Sequence, residues 1–214
     1  MPDRPRRPLK QKHERDQDPT PFSHILDELC RRTFARAAAL VDPEGETVDY
    51  GGQLAPFDVR VLAAELRLLQ QHLGRTRAHE GVHEIAIVAR RKSFLLHVLP
   101  EGYALVLELP RRASRVSERA LSVAVRRLCT EAGFAAPRRF SGCWREIEVQ
   151  ELPGGSHRPT GAVVDGVQAS LIVLGRLARP TVASELGFRV RLGTGQEGNL
   201  VREPLGRWYL EEDD

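Results

Sequence analysis

The sequence is short of several residue types, and each shortage narrows the possibilities. Its 214 residues include three cysteines, an odd and scattered set that argues against a disulfide framework. Two of them, Cys30 and Cys129, fall on apolar helix positions, where a free thiol behaves as a small hydrophobic side chain. We therefore expect reduced cysteines in a cytoplasmic protein. Only three of the 32 basic residues are lysines, and such a preference for arginine is typical of GC-rich bacterial genomes.

Long hydrophobic runs are also missing. No apolar run reaches the length that spans a membrane, and the N-terminal segment lacks the apolar stretch of a secretory signal. Residues 1–20 carry six basic and four acidic side chains and four prolines, so this leader buries too little surface to order itself. We expect a flexible leader over residues 1–20, a first domain over 21–134 and a second over 140–212, with no membrane insertion.

The first domain shows the element order α-β-β-α-β-β-β-α. Apolar residues at helical spacing predict a first helix that begins at Pro21, a second from Pro56 to about Leu73, and a third capped by Ser114. A Pro-Glu-Gly turn after Asp42 predicts a hairpin between the first two strands. Residues 84–90, 94–99 and 103–109 predict a three-strand meander, and the last strand is apolar at nearly every position, which indicates a central place in the sheet.

The second domain is β-rich by pattern. Residues 144–152 alternate between apolar and polar, and Asp165-Gly166 is a hairpin signal between two apolar runs. Residues 188–192 and 199–202 predict a second hairpin, and residues 207–210 a last strand. We expect a small sheet or sandwich here.

The second helix has two apolar faces. At 100° per residue, one narrow stripe contains Phe57, Val61, Ala64 and Leu68. Another stripe, about 130° away, contains Leu62, Leu66, Leu69 and Leu73. A helix on one sheet needs one apolar face, so the second face indicates either a helix sunk in a curved core or a partner helix, most simply the same helix of a second subunit.

These features resemble the Roadblock/dynein light chain superfamily, nearest to its bacterial MglB-like branch. The resemblance covers residues 22–133 and lies in the element order, the Leu40–Gly45 hairpin, the two-sided second helix and the join at residues 97–103. It implies an α+β fold with a five-stranded antiparallel sheet between helices. It also implies association as a homodimer, or as a heterodimer with a similar chain, through the second helix and the third strand.

The resemblance further implies a non-enzymatic role as a scaffold for, or an activator of, a small Ras-like GTPase. Such proteins supply no arginine finger and instead remodel the active site of the GTPase. Within that interpretation, Phe57, Val61, Ala64 and Leu68 are the candidate dimer contacts. Arg60, Arg67 and Gln71, on the far side of the same helix, are candidate partner contacts.

Arginines are concentrated around the third helix. Four of them project within about 60° of one another at helical spacing: Arg112, Arg115, Arg119 and Arg126. Three interpretations stay open: a solvated face, a docking site for an acidic partner, and phosphate contacts with nucleic acid. The net charge of only +3, and the lack of aromatic residues among these arginines, make nucleic acid the weakest of the three.

Two literal motif matches do not predict chemistry. His79–His83 spells the zinc-peptidase pattern, but Gly81 interrupts it and a strand pattern follows, whereas the two imidazoles need one continuous helix to share a metal. Gly193–Gly198 matches the dinucleotide fingerprint, but a short β-like segment follows instead of a helix. We therefore expect no catalytic residues, no metal and no cofactor. The alternatives to a GTPase regulator are a pure protein scaffold and a nucleic-acid accessory protein.

Overall fold

The structure, a computed structural model, describes residues 15–74, 82–111, 113, 116–135, 143–154, 157–177 and 185–212. The chain forms two compact units, residues 1–137 and residues 138–214. The expected α+β class is confirmed: helices and antiparallel strands make up the first unit, and antiparallel strands the second. None of the helices in the described ranges is both long and apolar enough to cross a bilayer.

The elements of the first unit follow the predicted order. They are α1 (Pro21–Thr33), β1 (Ala37–Val41), β2 (Thr47–Gly52), α2 (Pro56–Gly74), β3 (Glu84–Val88), β4 (Ser93–Val98), β5 (Ala104–Leu109) and α3 (Glu118–Glu131). The sheet is antiparallel with the strand order β2-β1-β5-β4-β3. β5 is therefore the central strand, as its apolar sequence predicted, and all six of its residues are buried.

Local chemistry sets the element ends. Thr20 caps α1, because its Oγ1 accepts a hydrogen bond from the Ser23 N–H over 3.3 Å while Ser23 Oγ accepts from the Thr20 N–H over 2.9 Å. In the β1–β2 hairpin, Asp42 Oδ1 accepts from the N–H groups of Gly45 and Glu46, each over 2.8 Å, and Gly45 has φ +96°. The pairing of β1 with β2 is irregular near this turn, with a register shift between Leu40 and Val41.

The start of the third helix differs from the prediction. The described helix begins at Glu118, and its cap is Ser117, whose side chain accepts a hydrogen bond from the Ala120 N–H over 3.0 Å. Ser114, the expected cap, lies outside the described residues. Both serines precede apolar residues at helical spacing, so the sequence pattern alone did not determine which of them caps the helix.

Helices cover both faces of the sheet. Alternate β1 residues, Ala37, Ala39 and Val41, share a core cluster with Val59, Ala63 and Leu66 of α2. α1 contacts β1, β2 and α3 on the opposite face, towards which Ala38 and Leu40 of β1 point. Each fully buried leucine in such a core stabilises the fold by about 1.5–3 kcal/mol.

The predicted leader falls into two parts. Residues 1–14 lie outside the described residues. Residues 15–20, also assigned to the flexible leader, contact the folded unit instead, because the side chains of Arg15, Asp16 and Thr20 bind to β2 and α2. These partners lie 29 to 44 residues further along the chain, so no local sequence pattern predicts the contacts.

The second unit is a closed barrel, which corrects the expected sheet or sandwich. Its strands are β6 (Cys143–Glu151), β7 (Pro159–Val164), β8 (Val167–Arg176), β9 (Leu186–Leu192), β10 (Glu197–Arg202) and β11 (Trp208–Glu212). Sequential strands pair in antiparallel fashion, and β11 pairs back with β6. The strand positions agree with the pattern, whereas closure depends on the pairing of the first and last strands, which removes both open edges.

Candidate interaction surface on the second helix

α2 rests on the sheet through small and medium-sized residues. Val59 and Ala63 are almost completely buried, and Leu66 lies beside them in the same core cluster. These residues lie one turn apart along the helix and meet the alanine-rich β1, which allows the helix to approach closely. Neither Val59 nor Ala63 belongs to the two stripes found in the sequence. The sheet-facing side is thus rotated from the expected leucine stripe towards Ala63.

The opposite side of α2 exposes large apolar side chains. Phe57 is 74% exposed and Leu68 57%, while Val61 and Leu69 are each more than a third exposed. Ala64 lies between them and is half-buried. We call Phe57, Val61, Ala64 and Leu68, together with Leu69, the outer flank of α2. Contiguous apolar surface of this kind marks an interaction site more often than isolated exposed residues do.

The sheet face that carries α2 is only partly covered near β3 and β4. Leu62 of α2 and the side chains of β3 and β4 on this face are half-buried at the border of the core: Ile85, Ile87, Phe94 and Val98. All residues of β5 are buried, whereas these side chains of β3 and β4 are only half-buried. This border therefore marks where the cover given by α2 ends.

β3 forms one edge of the sheet beside this border. Its neighbour is β4, and Ala89 N donates to Lys92 O over 3.0 Å while Val98 N donates to His83 O over 2.8 Å. The alternation of an antiparallel ladder then turns the backbone N–H and C=O of Glu84, Ala86 and Val88 away from β4. Val88 is 55% exposed. The resemblance had implied association through the second helix and the third strand, and both elements present exposed surface here.

The three polar candidates on α2 occupy different settings. Arg60 remains on the surface and binds the Asp16 carboxylate through Nη1 and Nη2, at 2.7 Å and 3.0 Å. This contact and the Tyr50 hydroxyl lower the pKa of Asp16, and the same carboxylate raises the pKa of Arg60. Arg60 thus keeps about two fifths of its side chain exposed (39%) while it is paired with the N-terminal segment.

Arg67 is buried, contrary to the surface position that the helical wheel assigned to it. Its Nη2 donates to the carbonyl oxygens of Gly102, over 2.6 Å, and Pro43, over 3.2 Å. Burial lowers the pKa of its guanidinium. Gln71 Nε2 also donates to Pro43 O over 3.2 Å. Both side chains tie α2 to turns of the sheet, so we leave Arg67 out of the contact surface.

The arginine stripe of the third helix does not form one solvated face. Arg112 and Arg115 lie outside the described residues, Arg119 is buried, and Arg126 is half-buried. The aliphatic stems of arginine pack readily on apolar surface, which the helical wheel cannot anticipate. Arg127, which the stripe did not include, is exposed on α3 and pairs with Glu28 of α1.

The two motif matches have structural settings of their own. His83 directly precedes β3, whereas His79 lies outside the described residues. Residues 193–196 form the turn between β9 and β10, where Leu192 N donates to Gln196 O over 2.8 Å, and Glu197 and Gly198 begin β10, so the predicted hairpin is confirmed. Within the described ranges, no group of three or more His, Cys, Asp or Glu side chains is arranged to hold a metal ion.

Comparisons with solved structures cover about half of the chain. No protein-family profile and no curated protein matches the sequence. Among solved structures, MglB of Myxococcus xanthus is 16% identical, with a TM-score of 0.48 over 55% of this chain and 98% of that chain. The gliding protein MglB of Thermus thermophilus is 21% identical, with a TM-score of 0.45 over 53% of this chain and 89% of that one.

A Roadblock/LC7 domain from Streptomyces avermitilis is 16% identical, with a TM-score of 0.41 over 52% of this chain and 93% of that chain. These similarities concern fold alone. About half of the chain is therefore similar in fold to MglB and Roadblock/LC7 structures.

Proposed function

We propose that the chain is a non-catalytic interaction protein that self-associates through α2 and binds a small Ras-like GTPase. The observation that carries this proposal is the outer flank of α2, where Phe57 and Leu68 are more than half exposed, together with β3 as an edge strand of the sheet. Large apolar side chains in such a position are stabilised by burial against another chain, at about 25 cal/mol for each Å² removed from water.

Self-association about a two-fold axis satisfies both exposed elements at once. Two copies of α2 that pack side by side bury both outer flanks, and two β3 edges that meet pair the backbone groups of Glu84, Ala86 and Val88. The sheets then join into one. Phe57, Val61, Ala64 and Leu68 are the proposed contacts, with Leu69 added from the structure.

The GTPase part of the proposal extends the resemblance found in the sequence. A partner that touches the switch loops of a GTPase changes the population of the arrangement that stabilises charge on the transferred phosphoryl group. The surface beside the paired helices is the proposed contact for the GTPase, and Arg60 and Gln71 are the candidate polar groups there. The chain itself supplies no reacting group in this mechanism.

The decisive experiment is a single-turnover GTP hydrolysis assay with a small Ras-like GTPase from the same organism. Wild-type protein and the variants Leu68→Glu and Leu205→Glu are added at equal concentration, because Leu205 is similarly exposed (62%) but lies in the barrel unit. Acceleration by wild type and Leu205→Glu, and none by Leu68→Glu, is the expected result. Binding without acceleration would identify a pure scaffold, and the lack of any binding would contradict the proposal.

A further inference from the structure

Side chains from outside the sheet close its β2 edge. β2 is an edge strand, and Arg15 Nη1 donates to the carbonyl oxygen of Tyr50 on its outer side. Two residues further on, Gly52 N donates to Asp27 Oδ1 over 2.7 Å. Open edges attract strands from other chains, so these contacts block a natural pairing site. One of the two blocking side chains belongs to the N-terminal segment.

The folded unit binds Arg15 and Asp16 through three residues that we call the receptor: Asp49, Tyr50 and Arg60. The Arg15 guanidinium pairs with the Asp49 carboxylate and lies 4.4 Å from the centroid of the Tyr50 ring. The Asp16 carboxylate accepts hydrogen bonds from Arg60 and, over 2.6 Å, from the Tyr50 hydroxyl. The folded unit thus offers an acidic group to the basic side chain and a basic group to the acidic one.

The two halves of this receptor differ in their burial. Asp49 is 1% exposed and also accepts from Thr20 Oγ1 and from the Tyr50 N–H. A buried carboxylate requires a cation, whichever segment supplies it. Asp16 and Arg60 are both more than a third exposed, so solvent competes for their contact. The ligand is therefore anchored at one end and loosely held at the other.

A cleft continues from this receptor along the end of β2. Its volume is about 1230 Å³, and Arg15 and Pro19 form part of its wall together with Gly51, Gly52 and Phe34. Phe34 is 58% exposed and has φ +57°, a conformation that bulky residues rarely adopt. The cleft thus offers an exposed aromatic ring and a strand edge beside the charged receptor.

We propose that this cleft and the β2 edge bind an extended segment of a partner protein in which a basic residue directly precedes an acidic one. Arg15–Asp16 is the intramolecular occupant that this segment displaces. The basic residue pairs with Asp49, the acidic residue pairs with Arg60 and the Tyr50 hydroxyl, and the neighbouring residues lie in the cleft towards Phe34. This site is separate from the outer flank of α2 and does not depend on self-association.

The test uses the segment itself as a probe. A synthetic peptide with the sequence of residues 12–20 is titrated to about 1 mM, and binding is followed by the NMR shifts of the Tyr50 and Gly52 amides. In the full-length variant Arg15→Ala/Asp16→Ala the occupant is gone, so the peptide should bind at least about tenfold more tightly than to wild type. Addition of Arg60→Ala should reverse most of that gain.

Two controls keep the proposal falsifiable. A peptide with the Arg-Asp order reversed should bind neither protein, which separates recognition from general charge attraction. Asp16→Asn leaves Arg15 on the buried Asp49, so it keeps the fold intact while it loosens the occupant, and the peptide should bind it at least about threefold more tightly than wild type. Equal affinity for wild type and both variants, or equal binding of the reversed peptide, would overturn the proposal.

Discussion

The guanidinium of Arg67 donates a hydrogen bond to the carbonyl oxygen of Gly102 over 2.6 Å, and the same nitrogen reaches Pro43 O at 3.2 Å. One side chain of α2 therefore joins the turn between β4 and β5 to the tip of the β1–β2 hairpin. Because the contact is buried, it fixes how α2 is rotated on the sheet. That rotation directs Phe57 and Leu68 away from the core.

Loss of this contact should destabilise the first unit. We expect Arg67→Ala to lower the free energy of unfolding by about 1–3 kcal/mol, since the Gly102 carbonyl loses this donor, the Pro43 carbonyl is left with the Gln71 donor, and a buried stem is removed. Arg67→Lys should recover only part of this, because an ammonium group cannot reproduce the planar fork. Denaturant unfolding followed by circular dichroism measures the change, and Arg91→Ala, at an exposed position, should stay within about 0.5 kcal/mol of wild type.

A charge on the outer flank of α2 should prevent self-association. We expect wild type to be a dimer at micromolar concentration and Leu68→Glu to raise the dissociation constant at least about a hundredfold, because the two-fold axis buries two carboxylates in an apolar contact. Light scattering coupled to size exclusion measures the mass. Leu205→Glu should remain dimeric, and a wild-type protein that is monomeric at this concentration would remove the basis of the proposed interface.

A methyl group at Gly51 should disturb the packing of α1 on β2. A Cβ there would lie 2.6 Å from the Asp27 backbone nitrogen and 2.9 Å from the Leu26 carbonyl carbon, and neither atom moves freely. We expect Gly51→Ala to cost about 1–3 kcal/mol. Gly175→Ala is the matched control, because a Cβ at that position meets nothing within 4 Å, and equal stabilities for the two variants would contradict the close approach.

Glu151 should make the barrel unit sensitive to acid. Hydrogen bonds from His157, Trp208 and Arg202 hold the pKa of Glu151 at about 2, below its ordinary value of 4.5. A carboxylate with a lowered pKa stabilises the fold above the unfolded value, so this contribution is complete above about pH 4.5 and is lost as the pH falls towards 2.

The variant Glu151→Gln should therefore unfold more easily at neutral pH, by about 1–2 kcal/mol, and should show a flatter loss of stability between pH 4.5 and 2. Tryptophan fluorescence reports on this unit, because the two tryptophans of the chain, Trp144 and Trp208, both lie in it. Thr160→Ala, at an exposed barrel position, is the control. Parallel pH profiles for Glu151→Gln and wild type would disprove the assignment.

The outer flank shows how far sequence reasoning reached. The 3.6-residue period placed Phe57, Val61 and Leu68 together, and the structure leaves all three exposed. The same period grouped Leu69 with Leu62, Leu66 and Leu73, whereas Leu69 is 38% exposed, because small residues such as Ala63 determine where the helix approaches the sheet. A hydrophobic pattern identifies large apolar side chains, whereas close packing depends on which side chains have complementary shapes.

Local sequence signals determined the elements of this protein: strands where apolar and polar residues alternate, helices that start at Pro21 and Pro56, and a turn at Gly45. Only the tertiary structure decided that β11 returns to β6, that Arg67 lies inside and that Arg15 and Asp16 settle on Tyr50. Those contacts join residues 34 or more positions apart in sequence. Propensity and periodicity act within a few residues, and the free energy of distant contacts arises only once the folded chain brings both partners together.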